Sequence, residues 1–329
     1  MTDRLDDVHV AIGAGWEARL RDADPLLPPF DRLVASCGAR FAVAGRDGQA
    51  TAVAGCAHRE AKPGSLDRTW SAARRFSLTV RIAGGDVPGA LDALLAQWRE
   101  HLAAEPGADD ADSAAAVTWP SRDVTGIRTL QRHGLIPMAV VAARLAGRPG
   151  QAPATGQAGA GLPAPAGLRI RRAGPADLGE VTRLGMELVR YDAHFGSVSE
   201  RPESAAAMRA EVAVMLGEPE PWTWLAERDG RAVGLVAAER PEAATWIAPL
   251  SRHAPVAYLL MGYVDPAERA GGIGAALTAR LHAEADAAGV AVTLLHYSQV
   301  NPLSAPFWSQ QGYRPLWTSW EAWPASAMR

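Results

Sequence analysis

Apolar and polar positions change their spacing several times along the second half of the chain. Residues 168–172 alternate as a half-buried strand does, and the apolar residues of 178–188 recur at helical spacing. Two β-rich runs follow, 222–227 and 232–238, and the Asp229-Gly230 pair between them is a strong hairpin signal. This pattern predicts a mixed α/β domain that starts with a strand, helices and a hairpin.

The pattern continues with a strand, a glycine-rich loop and a helix. Residues 256–264 are rich in Tyr, Leu and Val, as a buried strand is, and residues 275–288 are strong helix formers. Three glycines lie between them, Gly271, Gly272 and Gly274. Because glycine allows tight turns, successive N–H groups can point at one anion where the helix begins. With Arg269 beside these amides as a mobile cation, the loop is predicted to bind a pyrophosphate.

The loop departs from two well-known phosphate-binding motifs. A Walker A loop needs Lys and Ser or Thr after Gly274, where Ala275 and Ala276 stand. The dinucleotide fingerprint needs a small residue where Leu277 stands. The loop resembles instead the cofactor loop of the GCN5-related N-acetyltransferase (GNAT) superfamily, Val-x-Pro and then Arg/Gln-x-x-Gly-x-Gly/Ala. Its elements here are Val264, Pro266, Arg269, Gly272 and Gly274.

A second run of residues resembles the next motif of the same superfamily. That motif has an Asn after a strand, a small residue three places later, an aromatic pair and then a Gly-aromatic pair. After the apolar run 290–295, this chain has Asn301, Ser304, Phe307-Trp308 and Gly312-Tyr313 at that spacing. The resemblance implies an α/β (α+β) fold in which a mixed, mostly antiparallel sheet is flanked by helices.

The first half of the chain repeats the order of elements. Strand-like runs at 41–44 and 50–53 flank Arg46-Asp47-Gly48, residues 77–82 stand for the central strand, and residues 91–102 carry a helical stripe. We interpret the repeat as a diverged GNAT-like domain. The alternative is a coincidence between two ordinary α/β segments.

The chain is therefore predicted to hold two GNAT-like domains, at 1–147 and 167–329, joined by a flexible Ala/Gly/Pro linker at 148–166. In the first half the loop that matches the phosphate loop has no arginine. Asp86 would repel a pyrophosphate, and Pro88 has no N–H to offer. We therefore expect the first domain to bind no cofactor and to have a structural role, packing on the active half or closing part of the acceptor site.

The resemblance implies acetyl-CoA, or a related acyl-CoA, as the acyl donor. Its pyrophosphate would lie on the loop, whose predicted cofactor-binding residues are Val264, Arg269, Ala270, Gly271, Gly272, Ile273, Gly274 and Ala275. The pantetheine would pair like a strand with the central strand, and Asn301 and Ser304 would hydrogen-bond it or a nearby phosphate. The alternative for Asn301 and Ser304 is helix capping after Pro302.

The implied reaction is direct attack of a neutral amine on the thioester carbonyl. The developing oxyanion needs fixed donors, and the resemblance points to main-chain N–H groups at a break in the central strand. Gly262 stands where such a bulge is common. Close packing of a helix on the strand is the alternative reason for a glycine there.

Two positions depart from the superfamily pattern. Trp308 stands where many members have the Tyr that protonates the leaving thiolate, so water or Tyr297 is the substitute we consider. Tyr258 stands where some members have a Glu base, and its phenol is a poor base at neutral pH. Glu239, at the end of the run 232–238, is the next candidate and would act through water. The alternative for Glu239 is an ordinary solvated carboxylate, and His194, His253 and His296 also remain candidates.

The acceptor site is less clearly encoded. Residues 191–196 follow the first helix of the second half, in the segment that often walls the acceptor site. Aromatic residues and two carboxylates would suit a cationic amine with an apolar body. They are Trp317, Trp320, Trp323, Asp192 and Glu321. The alternative is core packing with an ordinary polar rim.

Composition restricts the remaining classes of function. The chain has 329 residues, enough for two domains, and a net charge of −3, which does not indicate a nucleic-acid or membrane surface. Its acidic first residues are unlike a secretory signal, so we expect a cytoplasmic protein, as a monomer or homodimer. Cys37 and Cys56 have no neighbours at metal-ligand spacing, so we expect buried thiols and no metal.

The leading hypothesis is an acyl-CoA-dependent N-acetyltransferase that acts on a small-molecule primary amine. One alternative enzyme is a tandem-GNAT acetyltransferase of a thiol pathway that resembles mycothiol synthase. A further alternative is a non-catalytic acyl-CoA sensor or partner-binding module, which the missing tyrosine at position 308 keeps open.

Overall fold

Helices and strands alternate along the chain in the computed structural model, which describes residues 2–29, 39–45, 49–147 and 167–329, with side chains from residue 12 onward. The helices are α1 (Thr2–Ala23), α2 (Asp67–Trp70), α3 (Val87–Leu102), α4 (Ile127–Arg132), α5 (Leu178–Asp192), α6 (Ser204–Leu216), α7 (Ile273–Ala287) and α8 (Ser304–Gln310). The strands are β1 (Arg40–Ala44), β2 (Ala50–Glu60), β3 (Arg74–Ile82), β4 (Ser113–Pro120), β5 (Ile136–Leu145), β6 (Leu168–Arg172), β7 (Thr223–Arg228), β8 (Arg231–Glu239), β9 (Val256–Val264), β10 (Val292–Ser298) and β11 (Arg314–Ala322). The predicted linker at 148–166 and the triplet Arg46-Asp47-Gly48 lie outside the described residues.

The chain divides into two compact units. Unit 1 comprises Met1–Lys62, Ser71–Val140 and Pro315–Arg329. Unit 2 comprises Pro63–Trp70 and Val141–Arg314. Both contain mixed, mostly antiparallel sheets flanked by helices, which confirms the predicted fold class.

Unit 2 contains strands in the order β10-β9-β8-β7-β6. Neighbours from β6 to β9 are antiparallel, and β9 and β10 are parallel. Helices α5 and α6 cover one part of this sheet with a core that includes Val181, Leu184 and Val212. The spacing of Val181 and Leu184 agrees with the helical period predicted for 178–188. Helix α7 buries Leu277, Leu281 and other apolar residues four apart.

Unit 1 contains strands in the order β1-β2-β3-β4-β11. The strand predicted near residues 317–322 is β11, and it pairs with β4 from Trp317 opposite Pro120 to Ala322 opposite Ala115. The last strand of the chain therefore belongs to the sheet of unit 1. The second part of β5 belongs to unit 2, where Ala146 N–H donates to the carbonyl of Ala291 at 3.0 Å.

A short segment from the first half of the chain also belongs to unit 2. Pro63–Trp70 contributes Leu66 and Trp70, which pack against the core under α5 and α6. Thr69 Oγ1 and Ser204 Oγ share a hydrogen bond of 2.6 Å, and Ser199 N–H donates to the Thr69 carbonyl at 2.9 Å. The two units are thus not the two halves of the chain taken in order.

Candidate active site

The two parallel strands of unit 2 pair over only part of their length. The ladder joins Val256–Leu259 to Val292–Leu295, while β9 continues to Val264 and β10 to Ser298. Beyond the ladder, the β9 backbone groups that point toward β10 lie outside this pairing. An extended chain with its own donors and acceptors can bind such a strand edge, as peptides do when they add to a sheet.

A β-bulge interrupts β9 where the opening starts. Ala237 pairs with Met261 and Ala238 pairs with Leu259, so Leu260 is the extra residue. The sequence placed this break at Gly262, which the structure corrects because Gly262 pairs with Val236. The reason for the glycine is packing: a Cβ at Gly262 would lie 3.2 Å from the ring of Trp308, which is buried. This is the helix-packing alternative that the sequence left open.

We expect Gly262→Ala to lower the stability of the protein. Its Cβ would press on the Trp308 indole, and overpacking of this kind costs about 1–3 kcal/mol. Thermal unfolding measures the loss, and Trp308→Phe in the same chain should recover part of it. Gly179→Ala is the matched control, because a Cβ at Gly179 meets no atom within 4 Å. A Gly262→Ala protein as stable as the parent would contradict the packing argument.

The loop after β9 is anchored on the β7–β8 hairpin. Arg231 pairs with Asp265 at 2.9 Å, and Arg228 pairs with Glu268 at 2.7 Å. Asp265 N–H also donates to the carbonyl of Val233 at 2.9 Å. The hairpin predicted from Asp229-Gly230 therefore holds the start of the predicted phosphate loop in place.

The loop ends in a backbone cradle at the start of α7. Ala270 and Gly272 both have left-handed backbone conformations, with φ of 63° and 81°. A left-handed alanine is strained, and such strain occurs most often at functional sites. Gly272 caps the fifteen-residue α7 without a side chain, so the first amides of the helix remain available to an anion. Alternating left-handed residues turn neighbouring N–H groups toward a common point, so the cradle fits a phosphate group.

Gly274 has a second role in this loop. A Cβ at Gly274 would lie 3.2 Å from the ring of Phe307, and Phe307 and Trp308 pack edge to face with ring centroids 4.8 Å apart. The aromatic pair of the second motif thus packs on glycines of β9 and α7. The two motifs therefore form one packed unit through residues such as Gly274 and Phe307, which are 33 positions apart in sequence.

Arg269 is held in a defined position, which corrects its description from the sequence as a mobile cation. Its Nε donates to the carbonyl of Val264 at 3.0 Å. The guanidinium lies 4.5 Å from the ring centroid of Tyr191 and 5.8 Å from that of Tyr263. Tyr191 comes from the end of α5, so this helix positions the arginine of the loop.

The next residue of α5 contacts the second motif. Asn301 is buried, its Oδ1 accepts the N–H of Leu303 at 3.0 Å, and its amide group donates to the Asp192 carboxylate. Burial raises the pKa of Asp192 to about 6, and the bond from Asn301 partly opposes this shift. The bond to Leu303 closes a local turn before α8, whose N-cap residue is Leu303 and has no side-chain capping bond, so Asn301 does not cap the helix in this structure. Contacts of Asn301 and Ser304 with a cofactor remain a prediction.

We expect Asp192→Asn to stabilise the protein near pH 8 more than at pH 5. Folding favours the protonated carboxyl, so its contribution is present below the ordinary pKa of 3.8 and is lost as the pH rises through about 6. The variant should gain about 1 kcal/mol at pH 8 in urea unfolding. Asp177→Asn is the contrasting control, because a hydrogen bond from Arg171 lowers the pKa of Asp177, and this variant should lose stability at pH 8. Equal gains for Asp192→Asn at both pH values would contradict the shift.

The catalytic candidates Glu239 and Tyr258 face each other across β8 and β9. Trp246, from the β8–β9 loop, donates its Nε1–H to Glu239 Oε2 at 2.8 Å, and Tyr258 Oη shares a hydrogen bond of 3.0 Å with His296 Nδ1. Burial raises the pKa of Glu239, with a further contribution from Glu211, and burial raises the pKa of Tyr258 well above its usual range. Tyr258 is therefore a proton-bearing residue and Glu239 the better base.

Sequence reasoning missed Trp246, because nothing in its local pattern distinguishes it from a core residue. From the sequence, His296 was one of three histidine candidates, and nothing indicated which residue it would contact. The register of β9 and β10 brings His296 to Tyr258, whereas His194 is exposed at the end of α5. His253 follows Ser251, whose Oγ accepts its N–H at 3.1 Å.

The predicted acceptor residues belong to different units of the chain, and their acceptor role stays a prediction. Trp317, Trp320 and Glu321 lie on β11 in unit 1, whereas Asp192 belongs to unit 2. Glu321 is buried and is already engaged by Arg75 at 2.9 Å, by the Ser319 hydroxyl at 2.8 Å and by Trp323 Nε1 at 2.9 Å. Its carboxylate is part of the core of unit 1.

Unit 1 contains a counterpart of the α7 start that differs in its chemistry. At the beginning of α3, the Asp86 carboxylate accepts the N–H of Gly89 at 3.0 Å. A carboxylate of the chain itself therefore occupies the place at which an anion would meet the helix. Next to this loop, α1 is packed so closely that a Cβ at Gly15 would lie 2.8 Å from Cβ of Ala83.

Three further findings concern metal ligands, membrane-spanning helices and the cysteines. In the part of the chain that the structure describes, no group of His, Cys, Asp and Glu side chains could hold a metal ion. None of the helices described here is long and apolar enough to cross a membrane. Cys56 is a buried thiol outside any disulfide, as predicted, and Cys37 lies outside the described residues.

Comparison with known proteins gives a sequence-family match for part of the chain and a fold match for most of it. Residues 190–313 match the sequence family described as "Acetyltransferase (GNAT) family". A GCN5-related N-acetyltransferase from Sphaerobacter thermophilus has a TM-score of 0.51 at 18% identity, over 87% of this chain and 80% of that one. A GCN5-related N-acetyltransferase from Kribbella flavida has a TM-score of 0.45 at 16% identity, over 92% of this chain and 91% of that one. A tandem GNAT protein from the clavulanic acid biosynthesis pathway has a TM-score of 0.42 at 15% identity, over 95% of each chain.

The first of these structures shows that the fold extends over most of the chain, and the resemblance read from the two motifs is confirmed. No curated protein matches the sequence.

Proposed function

We propose that the chain transfers an acetyl group from acetyl-CoA to a small-molecule primary amine, because residues 190–313 match the sequence family described as "Acetyltransferase (GNAT) family". The family match implies an acyl-CoA-dependent acetyltransferase. That the donor is acetyl-CoA itself and that the acceptor is a primary amine is our proposal. In the reaction the amine nitrogen bonds to the acetyl carbon, the carbon–sulfur bond breaks, the nitrogen loses a proton and the sulfur gains one.

The observation that carries the proposal is that the cradle and the open ladder lie at the same end of β9. The amides from Ala270 to Ala275 would hold the pyrophosphate, with Arg269 beside them. The unpaired edge of β9 beyond Leu259 would hold the extended pantetheine arm. When bound, acetyl-CoA supplies a thioester carbonyl that an amine can attack.

The residues of the chain supply the proton transfers and the fixed donors. Glu239 would take the proton of the amine through a water molecule, because burial raises its pKa and makes its carboxylate a stronger base than an exposed glutamate. The bulge at Leu260 would provide main-chain N–H groups for negative charge on the carbonyl oxygen, in place of the predicted Gly262. Burial raises the pKa of Tyr297, so its hydroxyl keeps its proton and can deliver it to the sulfur.

We also propose that the first half binds no cofactor. Its support is the Asp86 carboxylate at the start of α3, which uses the amide of Gly89 and presents a negative charge to any phosphate. One acetyl-CoA per chain is therefore the expected stoichiometry.

A non-catalytic acyl-CoA sensor is the second candidate, and one observation favours it. Trp308 stands where the family pattern has its acid, and it is a buried packing residue on Gly262. A sensor would need the cradle and the open ladder but no base or acid.

Calorimetric titration with acetyl-CoA, followed by a thiol-release assay with a panel of primary amines, tests these proposals. We expect one site per chain and turnover with at least one amine. Turnover only with the amine of a thiol pathway would favour the mycothiol-synthase-like alternative. Tight binding without turnover would favour the sensor, absence of binding would overturn the cofactor assignment, and two sites would contradict the role given to the first half.

A further inference from the structure

Three aromatic rings form a corner at the point where β9 and β10 separate. Trp246, Tyr258 and His296, which we call the aromatic corner, come from a loop and two strands. The Trp246 and His296 rings are nearly parallel, with an interplanar angle of 6° and centroids 6.3 Å apart. Tyr258 stands almost perpendicular to both, at 4.9 Å from Trp246 and 5.7 Å from His296.

The corner is rigid but open to solvent. Trp246 is held by Glu239 and Tyr258 by His296, through the two hydrogen bonds described above. Trp246 is nonetheless 56% exposed, which is unusual for the largest apolar side chain when its polar atom is already bonded. An ordered, exposed indole that is fixed by a carboxylate is suited to ligand binding more than to core packing.

A carboxylate completes the corner. Glu239 accepts the Trp246 N–H with Oε2, and among the described residues no hydrogen bond uses its Oε1. The aromatic faces carry negative quadrupole charge, so the corner and the carboxylate attract the same kind of group, a cation. Among the described residues, the neighbouring Arg240 forms its ion pair with Glu242, at 3.8 Å, and its guanidinium lies 5.3 Å from the Trp222 ring centroid.

The corner also lies close to the bond that would be made. Leu260 and His296 are the first residues beyond the β9–β10 ladder, and Tyr258 precedes the bulge at Leu260 by two residues. At the usual rise of a strand, two residues correspond to about 7 Å. An amine bound at the corner would therefore lie about 7 Å from the start of the open ladder, a distance that a small molecule can span.

We propose that the aromatic corner and Glu239 bind the ammonium group of a cationic acceptor before it is deprotonated and acetylated. This inference rests on the proposed function. It assigns the acceptor to amines that arrive positively charged and carry an apolar body next to the charge, which would lie on Trp246. The carboxylates that the sequence offered for this task are engaged elsewhere, Asp192 by Asn301 and Glu321 by Arg75.

The test uses a ligand that binds without reacting. Choline has a permanent positive charge, and 3,3-dimethylbutan-1-ol is its neutral isostere. Both are titrated into the full chain without acetyl-CoA while the indole N–H resonance of Trp246, assigned with Trp246→Phe, is followed by NMR. We expect choline to shift this resonance with at least about fivefold tighter binding than the alcohol.

Two variants test the contribution of the Trp246 ring. Trp246→Leu should remove the preference for choline, and Trp246→Phe should keep part of it. Because both variants lack the indole N–H, binding is followed in them by the backbone amide resonance of Tyr258. Equal binding of the two ligands, binding of neither at 50 mM, or a preference that survives in Trp246→Leu would overturn the inference. Because choline has no N–H and no donor is present, the result does not depend on acetyl transfer. If the protein acetylates amines but shows no preference for choline, only this inference is overturned. If the protein shows no turnover, the proposed function is overturned, and the choline titration still tests the aromatic corner.

Discussion

Gly272→Asp is expected to abolish binding of acetyl-CoA in a calorimetric titration. Gly272 caps α7 with φ of 81°, so any side chain is strained there, and a carboxylate would put a negative charge where the pyrophosphate meets the helix. Loss of charge-assisted bonds and repulsion together should weaken binding by more than about a hundredfold.

The matched control is Gly289→Asp at the other end of the same helix. Gly289 also has a left-handed backbone, with φ of 74°, and a Cβ there meets no atom within 4 Å. This variant carries the same strain and the same charge at a distance from the cradle, so its affinity should stay near that of the parent. Circular dichroism of both variants shows whether they fold. If both lose binding equally, or if folded Gly272→Asp keeps it, the cradle is not the phosphate site.

Glu239→Gln is expected to lower kcat by about a hundredfold, as loss of a general base does, with little effect on binding of acetyl-CoA. Glutamine can still accept the N–H of Trp246, so the aromatic corner should keep its geometry. The readout is thiol release with a saturating amine from the panel.

The pH profile distinguishes a base from a merely structural residue. Burial raises the pKa of Glu239, so activity of the parent should fall as the pH is lowered through that raised value, when the carboxylate gains a proton. The acidic limb should be absent in Glu239→Gln. Glu242→Gln is the control, because Glu242 lies just after β8, in the β8–β9 loop, with a side chain that is 79% exposed. A Glu239→Gln enzyme with unchanged kcat and pH profile would exclude Glu239 as the base.

The sequence indicated more of the residues on the proposed cofactor side of the site than on the proposed acceptor side. The cradle depends on glycines that follow one another, and the left-handed backbone of Gly272 is a local property that composition reveals. The acceptor side depends on Trp246, Tyr258 and His296, which lie on three separate segments. No local pattern indicates that their rings meet.

Some residues were identified correctly but for a different reason. Gly262 and Gly274 stand out in the sequence as flexible or phosphate-binding, and the structure shows that each makes room for an aromatic ring of α8. The side chain of Asn301 accepts the N–H of Leu303 and donates to Asp192, while its predicted contact with a cofactor stays a prediction. A glycine or a buried amide has several possible partners, and only the packed structure selects among them.

By itself, the sequence determined the fold class, the hairpin, the glycine-rich turn before α7 and the two motifs, because turns, helix starts and alternating strands depend on neighbouring residues. The tertiary structure decided which strands share a unit, as with β11 in unit 1, and which side chains meet, as with Arg269 on Tyr191 and Tyr258 beside His296. The physical reason is that strand pairing and side-chain packing join residues that are distant in the chain. A ladder can be completed by any strand of suitable register, so its partner is set by the whole fold.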